Sequence, residues 1–385
     1  MHFSLGATIV TTFVKRTDVA LASAHTLPGR YFTDPAIFAE ELEKIFCSRW
    51  LCAGRQEQIG RPGAYFLRQI GRESIIVLRD RGGEVRAYYN VCRHRGTRLC
   101  EEHQGQFAGT IQCPYHAWTY TLDGELTGAP SADSIEDFDK TEWPLHRVAV
   151  ATWEGFIFIN LAEEPEPFSD AFAPVLDRFS RFNLAALRAY RRVNYDVECN
   201  WKLVVQNYSE CYHCPLVHPA LVKLSPPTSG ENDLYRGPFL GGYMEIVDPS
   251  ESLTMSGRVC GVPVGDLPAE DHRRVYYYSL FPNLLLSLHP DYVMYHMLWP
   301  KDAGHVAIEC EWLVHPDTLT NPACDPNDGV EFWHMTNQQD WHICEQSQRG
   351  IQSRRYTPGP YSRREGLSAA FDQEVLRALG HQSEW

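Results

Sequence analysis

The sequence predicts an α+β chain in two parts: a β-rich domain built around a metal cluster, then a domain of helices and strands with a metal of its own. Three observations carry this. From about Trp50 to Leu161, short apolar runs alternate with turn signals. After the acidic, Pro-rich Glu163-Glu164-Pro165-Glu166-Pro167, the pattern changes to helices and a further run of strands. Each part also holds one dense group of metal-ligating side chains, and 385 residues are enough for two domains with a sizeable core.

The elements follow in order. Asp34 can cap a helix that Pro35 opens, and Phe38, Leu42, Ile45 and Phe46 form its apolar stripe, which predicts packing against the larger domain. Ser74–Arg79 and Glu84–Tyr89 flank Asp80-Arg81-Gly82-Gly83 as a hairpin. Trp118–Leu122, a turn at Asp123-Gly124 and Glu125–Thr127 form a second pair, and residues 148–161 close the region with a third. Cys47 and Cys52 have the spacing that opens a plant-type ferredoxin motif. The following cysteine pair is missing, so they read as buried thiols.

Between those strands lie Cys92-Arg93-His94-Arg95-Gly96 and Cys113-Pro114-Tyr115-His116. Each supplies one thiolate and one imidazole, the ligand set of a Rieske [2Fe–2S] centre, with two Cys on one iron and two His on the other. Neutral imidazoles in place of two thiolates make the cluster accept an electron more readily than an all-Cys cluster, which suits a relay. Zinc uses the same donors, but its knuckles usually place two residues between paired ligands, and here only Arg93 separates Cys92 from His94. The loops between strands let backbone N–H groups reach the sulfurs.

The second dense group runs from Asn200 to Pro219. Read as one helix capped by Asn200, it places Trp201, Val204, Val205, Tyr208 and Tyr212 on an apolar stripe, and Gln206, Glu210 and His213 on a buried polar seam opposite. Pro215 then ends the helix and lets His218 join His213. Two histidines and a carboxylate make the facial triad of non-haem Fe(II) oxygenases, which leaves positions open for dioxygen. The acid is expected near residues 333–345, where Trp333, Asn337, Asp340 and Cys344 share a helix face. Spacing alone leaves Asp340, Glu345 and Glu331 all open. Read without the cluster, His213 and His218 would be hydrogen-bonded core histidines; an upstream electron relay needs a destination.

Composition excludes other classes. With 35 Lys and Arg against 49 Asp and Glu, the net charge of −14 argues against nucleic acid and anionic membrane surfaces. The 12 cysteines are scattered irregularly and predict no disulfide framework. The apolar stretch Ala7–Val14 precedes Lys15-Arg16 instead of following a basic leader, and no window is apolar enough to span a membrane, so a cytoplasmic location is expected. There is no Gly-rich dinucleotide fingerprint and no phosphate loop, so nicotinamide and ATP are not expected to bind this chain directly.

The motifs CRHRG at 92–96, CPYHAWTY at 113–120, and NWK with NYSECYHCPLVHP across 200–219 together resemble the oxygenase component of Rieske-type mononuclear-iron oxygenases, from about Thr33 to Ala370. The resemblance implies a Rieske domain over 48–165 and a helix-grip-like catalytic domain with antiparallel sheet and helices over 1–47 and 166–385. It implies that Cys92, His94, Cys113 and His116 hold the cluster and that His213, His218 and Asp340 bind the catalytic iron. Glu210 would bridge His213 to a Rieske histidine, His116, of a neighbouring subunit in a head-to-tail trimer. Electrons would come from NAD(P)H through a separate reductase carrying FMN or FAD, with O2 as co-substrate.

Ring-hydroxylating members have Asp at the bridge; Glu210 resembles the branch acting on quaternary ammonium compounds, as does the tail through residues 337–362. This implies a monooxygenase that N-demethylates a small betaine, with Tyr208, Tyr212, Tyr295 and Trp299 as candidate faces for its cationic head. An aromatic-ring-hydroxylating dioxygenase alpha subunit on the same metals is the alternative. A bare electron carrier would need only the first domain. Gln206 stands where many relatives have Glu.

Overall fold

The computed structural model describes residues 24–382. The apolar stretch Ala7–Val14, and with it the reading of the N-terminus, lies outside them.

The β-rich part is an antiparallel seven-stranded sheet in the order Leu51–Arg55, Phe156–Asn160, Arg147–Trp153, Val85–Tyr89, Glu73–Arg79, Ala64–Ile70, Gln104–Gln106. A three-stranded sheet of Thr110–Gln112, Thr119–Thr121 and Leu126–Gly128 stands beside it. The expected hairpins form. Arg79 pairs with Val85, and the Asp80 carboxylate accepts the Glu84 N–H at 2.8 Å to fix the turn. Glu154 and Gly155 link 147–153 to 156–160, both at positive φ (51° and 80°), as a two-residue type I′ turn requires.

The second part is another antiparallel seven-stranded sheet, ordered Arg188–Val197, His305–Val314, Val293–Asp302, Leu284–Leu288, Arg274–Leu280, Phe239–Glu245, Glu231–Arg236. Four helices matter for the site: α1 (Pro35–Glu41), α2 (Trp201–Tyr208), α3 (Asn327–Ile351) and α4 (Gly366–Leu379). Asp34 caps α1 through the Ala36 N–H at 2.8 Å, and the chain continues in a π-helical turn over Leu42–Phe46. Phe46 packs edge-on against Trp201 of α2 at 5.1 Å, so this segment docks where its stripe predicted.

One apolar core runs between the parts, joining Leu51, Phe66 and Ile75 of the first sheet to Trp201, Leu240 and Ile308 of the second. Polar ties flank it. The Asn283 side chain imitates a strand, accepting from Cys52 N–H at 2.9 Å and donating to Cys52 C=O at 3.0 Å. Arg68 pairs with Glu309 at 2.8 Å, a largely covered ion pair.

A fully buried polar group anchors α2. Lys202 pairs with Glu41, and Trp201 Nε1–H donates to the same carboxylate at 2.8 Å. Removing either charge would strand the other in the core, at a cost of about 3–5 kcal/mol. Gln206 donates to Asp372 of α4 at 2.6 Å, and Asp372 also accepts from Tyr361 at 2.7 Å. A glutamate at 206 would face a buried carboxylate. The bond also corrects the seam, since Gln206 turns toward α4 and away from His213.

Candidate metal centres and substrate cavity

The two loops of the first centre have the same backbone form. Gly96 N–H returns to Cys92 C=O at 3.0 Å, and Ala117 N–H returns to Cys113 C=O at 3.1 Å. The fifth residue of each loop takes positive φ, 73° for Gly96 and 56° for Ala117; only the second carries a Cβ penalty. The loops hold Cys92 and Cys113 buried, while His94 is exposed and His116 half-exposed.

The imidazole rings lie 4.7 Å apart, and His94 stacks on Trp118 at 4.9 Å. Burial pushes the Cys113 thiol up, against backbone N–H groups of Tyr115 and His116 that point at its sulfur. Two adjacent buried thiolates need metal charge to neutralise them, and a cluster with sulfurs inside and imidazoles outside fits this donor set. Tyr120 reinforces it: its oxygen accepts the Arg93 N–H at 3.1 Å and lies 3.4 Å from Cys92 Sγ, to which the hydroxyl donates once that sulfur is a thiolate.

The second centre forms where α2 stops. Asn200 caps the helix through Lys202 N–H as expected, but the helix ends at Tyr208, not Pro215. The Ser209 hydroxyl donates back to Val205 C=O, and the Glu210 carboxylate captures the N–H groups of Tyr212 and, at 3.3 Å, His213. Side-chain capture of backbone donors competes with the helix here. Tyr212 consequently leaves the apolar stripe and is 54% exposed. Pro215 does not terminate a helix. It sits in the first turn of the short segment Cys214–Val217, and Pro219 opens the next, Pro219–Leu224. Cys211 and Cys214 are joined by a disulfide across this turn, a local pairing that the scattered cysteines did not suggest.

His213, His218 and Asp340 come together with one donor atom of each within 4.8 Å of the others, and among the described residues they are the cluster able to hold a single ion. His218 Nε2 lies 2.8 Å and His213 Nε2 3.3 Å from the same Asp340 oxygen. The opposite ring nitrogens are held from behind: His213 Nδ1–H donates to Glu210 at 2.6 Å, and His218 Nδ1–H to Gln339 at 2.7 Å. Such outer partners fix the tautomer that leaves Nε2 for a metal.

Burial disfavours the His213 imidazolium, but hydrogen bonds to Asp340 and Glu210 prevail and push it up to about 10. Burial likewise raises Asp340, yet both imidazoles hold its carboxyl below the ordinary range. The donors hydrogen-bond one another where a divalent cation would take their place, and two neutral nitrogens with one carboxylate suit Fe(II). Of the acids left open, Asp340 reaches the site; Glu331 turns to Asn327 and Glu345 to the Glu198 N–H. Gln339 was missed because nothing periodic marks it.

The triad opens into a cavity of about 110 Å³. Tyr208 and Tyr212 line it, as expected of the candidate aromatic faces, but Tyr295 and Trp299 do not. Tyr295 is buried on the other sheet face against Phe156, donating to Glu311, and Trp299 lies under the Arg68 guanidinium. Tyr277 and Trp333 take their places. Strand alternation carries the signal for Tyr277, whose neighbours Tyr276 and Tyr278 enter the core behind the sheet. Trp333 lies two helical turns before Asp340, on the face already expected to point inward.

Residues 49–139 match the Rieske [2Fe-2S] domain, and residues 184–381 match the ring hydroxylating alpha subunit (catalytic domain). The glycine betaine monooxygenase oxygenase subunit of Chromohalobacter salexigens is 34% identical over 375 residues, covering 88% of this chain and 82% of that protein. The chloroplastic choline monooxygenase of Spinacia oleracea is 28% identical, covering 88% of this chain and 74% of that one. A solved quaternary ammonium Rieske monooxygenase, described in connection with carnitine oxidation, superposes with a TM-score of 0.80 at 26% identity over 94% of this chain and 96% of its own.

An iron–sulfur relay domain joined to a mononuclear-iron catalytic domain defines a Rieske-type oxygenase subunit, an O2-using oxidoreductase. This chain belongs to the ring-hydroxylating alpha-subunit family. Among the described residues no helix is long and apolar enough to cross a membrane.

Proposed function

We propose that this chain is the terminal oxygenase of an O2-dependent system that removes an N-methyl group from a small, glycine betaine-like quaternary ammonium compound. The observation that carries this reading is the cavity wall. Beside the triad it presents the rings of Tyr208, Tyr212, Tyr277 and Trp333, while its carboxylates, Glu210 and Asp340, are engaged by histidines. A permanent cation without N–H donors is recognised by ring faces, worth about 2 kcal/mol or more when desolvated. The names of the relatives point the same way, as does glutamate at the bridge. Likeness to naphthalene dioxygenases, with a TM-score of 0.76 at 20% identity, concerns the fold alone.

In this reading Cys92, His94, Cys113 and His116 hold the relay cluster, and His213, His218 and Asp340 hold the iron that supplies oxygen chemistry when bound. Glu210 orients His213 and receives the contact of His116 from the next subunit of a head-to-tail trimer. Exposed apolar groups beside each centre support that contact: Tyr115 next to His116 (56% exposed), and Tyr212 and Leu216 next to the iron triad (54% and 92%). We place the domain boundaries at 48–165 and at 1–47 with 166–385. Electrons would arrive from NAD(P)H through a separate flavin-containing reductase. Hydroxylation of an N-methyl carbon gives a carbinolamine that collapses to formaldehyde and the demethylated amine.

Product analysis with a surrogate reductase tests this. Formaldehyde released from a betaine in step with O2 consumption is expected. No formaldehyde from any betaine, together with a cis-dihydrodiol from an aromatic acid, would replace this reading with the dioxygenase one.

A further inference from the structure

We propose that Cys211 and Cys214 are a redox gate on the mononuclear site: joined, their sulfurs stay off the metal, and separated, Cys214 becomes a fourth protein donor. The inference rests on His213, His218 and Asp340 as the metal ligands and goes beyond them, because a facial triad says nothing of what closes its open positions.

Among the described residues Cys211 and Cys214 form the one disulfide, and they bracket His213 in sequence. Cys214 Sγ lies 3.9 Å from His213 Nε2, the nitrogen left for the metal. Nitrogen and sulfur donors that share a metal at about 2.1 and 2.3 Å in a tetrahedral arrangement lie about 3.6 Å apart. The sulfur therefore stands nearly at a ligand's distance from His213, while its bond to Cys211 leaves it a neutral, weak donor. As a thiolate it would be the softest donor in the site.

The turn has holds other than the sulfur bridge. His218 N–H donates to Cys214 C=O at 2.8 Å, Val217 N–H to His213 C=O at 3.1 Å, and Glu210 keeps the Tyr212 and His213 N–H groups. Cutting the bridge frees the Cys214 side chain to rotate and leaves the ligand backbone in place. Access to the two sulfurs is unequal: both residues line the cavity, but Cys214 is 2% exposed and Cys211 only partly covered. A dithiol reductant thus meets Cys211 first. Its thiolate bonds to Cys211 Sγ as the Cys211–Cys214 bond breaks, and its second sulfur then closes the reductant's own disulfide and releases Cys211. Two electrons pass to the chain; one proton stays on Cys211 and the other goes to solvent, because Cys214 leaves as a metal-bound thiolate. Four protein donors make the closed arrangement of structural metal sites, with no position left for dioxygen.

Cobalt K-edge absorption tests the proposal on full-length protein with its iron–sulfur cluster intact and Co(II) in the mononuclear site, since that edge does not see the cluster. Alkylation mass spectrometry should first leave Cys211 and Cys214 unlabelled in the untreated chain and label both after anaerobic dithiol treatment. With the reductant removed before cobalt is added, the bonded form is expected to show nitrogen and oxygen neighbours only. The reduced form should gain one sulfur at roughly 2.3 Å. Cys211→Ser should show that sulfur without any reductant, and Cys214→Ser should never show it. Both cysteines labelled in the untreated chain, or a reduced form without a cobalt–sulfur neighbour, overturns the gate and leaves the metal ligands standing. Cobalt that binds His213→Ala as tightly as wild type overturns the ligand assignment as well.

Discussion

Glu210 accepts the Nδ1–H of His213 at 2.6 Å and in doing so turns Nε2 of that ring toward Asp340. One carboxylate thus sets the tautomer of a histidine proposed to ligate iron and, by capturing the Tyr212 and His213 N–H groups, ends the helix that would otherwise carry it away.

Replacing Glu210 by Gln should therefore leave both metals bound and the cluster reducible while slowing turnover by roughly 10–100-fold, the usual cost of losing such an outer partner. Stopped-flow reoxidation of the reduced cluster measures it. Normal turnover in this variant would remove Glu210 from the bridge.

His213→Ala should lose the mononuclear iron and keep the cluster, because the two donor sets lie in different parts of the chain, one in loops of the β-rich part and the other on turns and helix α3, and share no residue. Metal analysis is expected to fall from about three irons per chain to about two, with the visible chromophore unchanged. Simultaneous loss of the chromophore would show that the centres are not independent.

The Tyr120 hydroxyl lies 3.4 Å from Cys92 Sγ, and a thiolate there can only accept from it. A hydrogen bond to a ligand sulfur favours the more negative, reduced cluster, so Tyr120→Phe should lower the midpoint potential by on the order of tens of millivolts. Protein-film voltammetry reads this directly, and an unchanged potential would place the hydroxyl hydrogen elsewhere.

Asp372 gives a pH signature. Burial pushes it up to about 7, against hydrogen bonds from Tyr361 and Gln206 that lower it. The folded state then keeps a proton that the unfolded chain releases near 3.8, so this group's contribution to stability falls as pH rises from about 4 to about 7. Urea unfolding of wild type minus Asp372→Asn should show that slope, and parallel profiles would contradict it. Gln206→Glu should lose about 1–3 kcal/mol above pH 7, with Asp372→Asn restoring most of it.

Much of this was legible in residue types and spacing. Ligands of the first centre sit in short local motifs, and strand alternation and turn chemistry located the hairpins to within a residue or so, as at Arg79 and Val85. The bend after Tyr208 was not legible, because 3.6-residue periodicity runs on through Tyr212 while the interaction that breaks it is a single glutamate capturing backbone N–H groups. Gln339 and the Gln206–Asp372 pair depend on contacts between segments more than a hundred residues apart, which no local pattern records. The same holds for Tyr295 and Trp299, aromatic by type but turned away by the sheet face they occupy.

The central claim is that the cluster of one subunit serves the iron of the next. Co-expressing differently tagged His213→Ala and Cys113→Ser chains, each inactive alone, and isolating mixed trimers tests this most directly. Within such a trimer an intact cluster can face an intact iron across a subunit boundary, so betaine demethylation should return. Mixed trimers of verified composition that stay inactive would contradict the account.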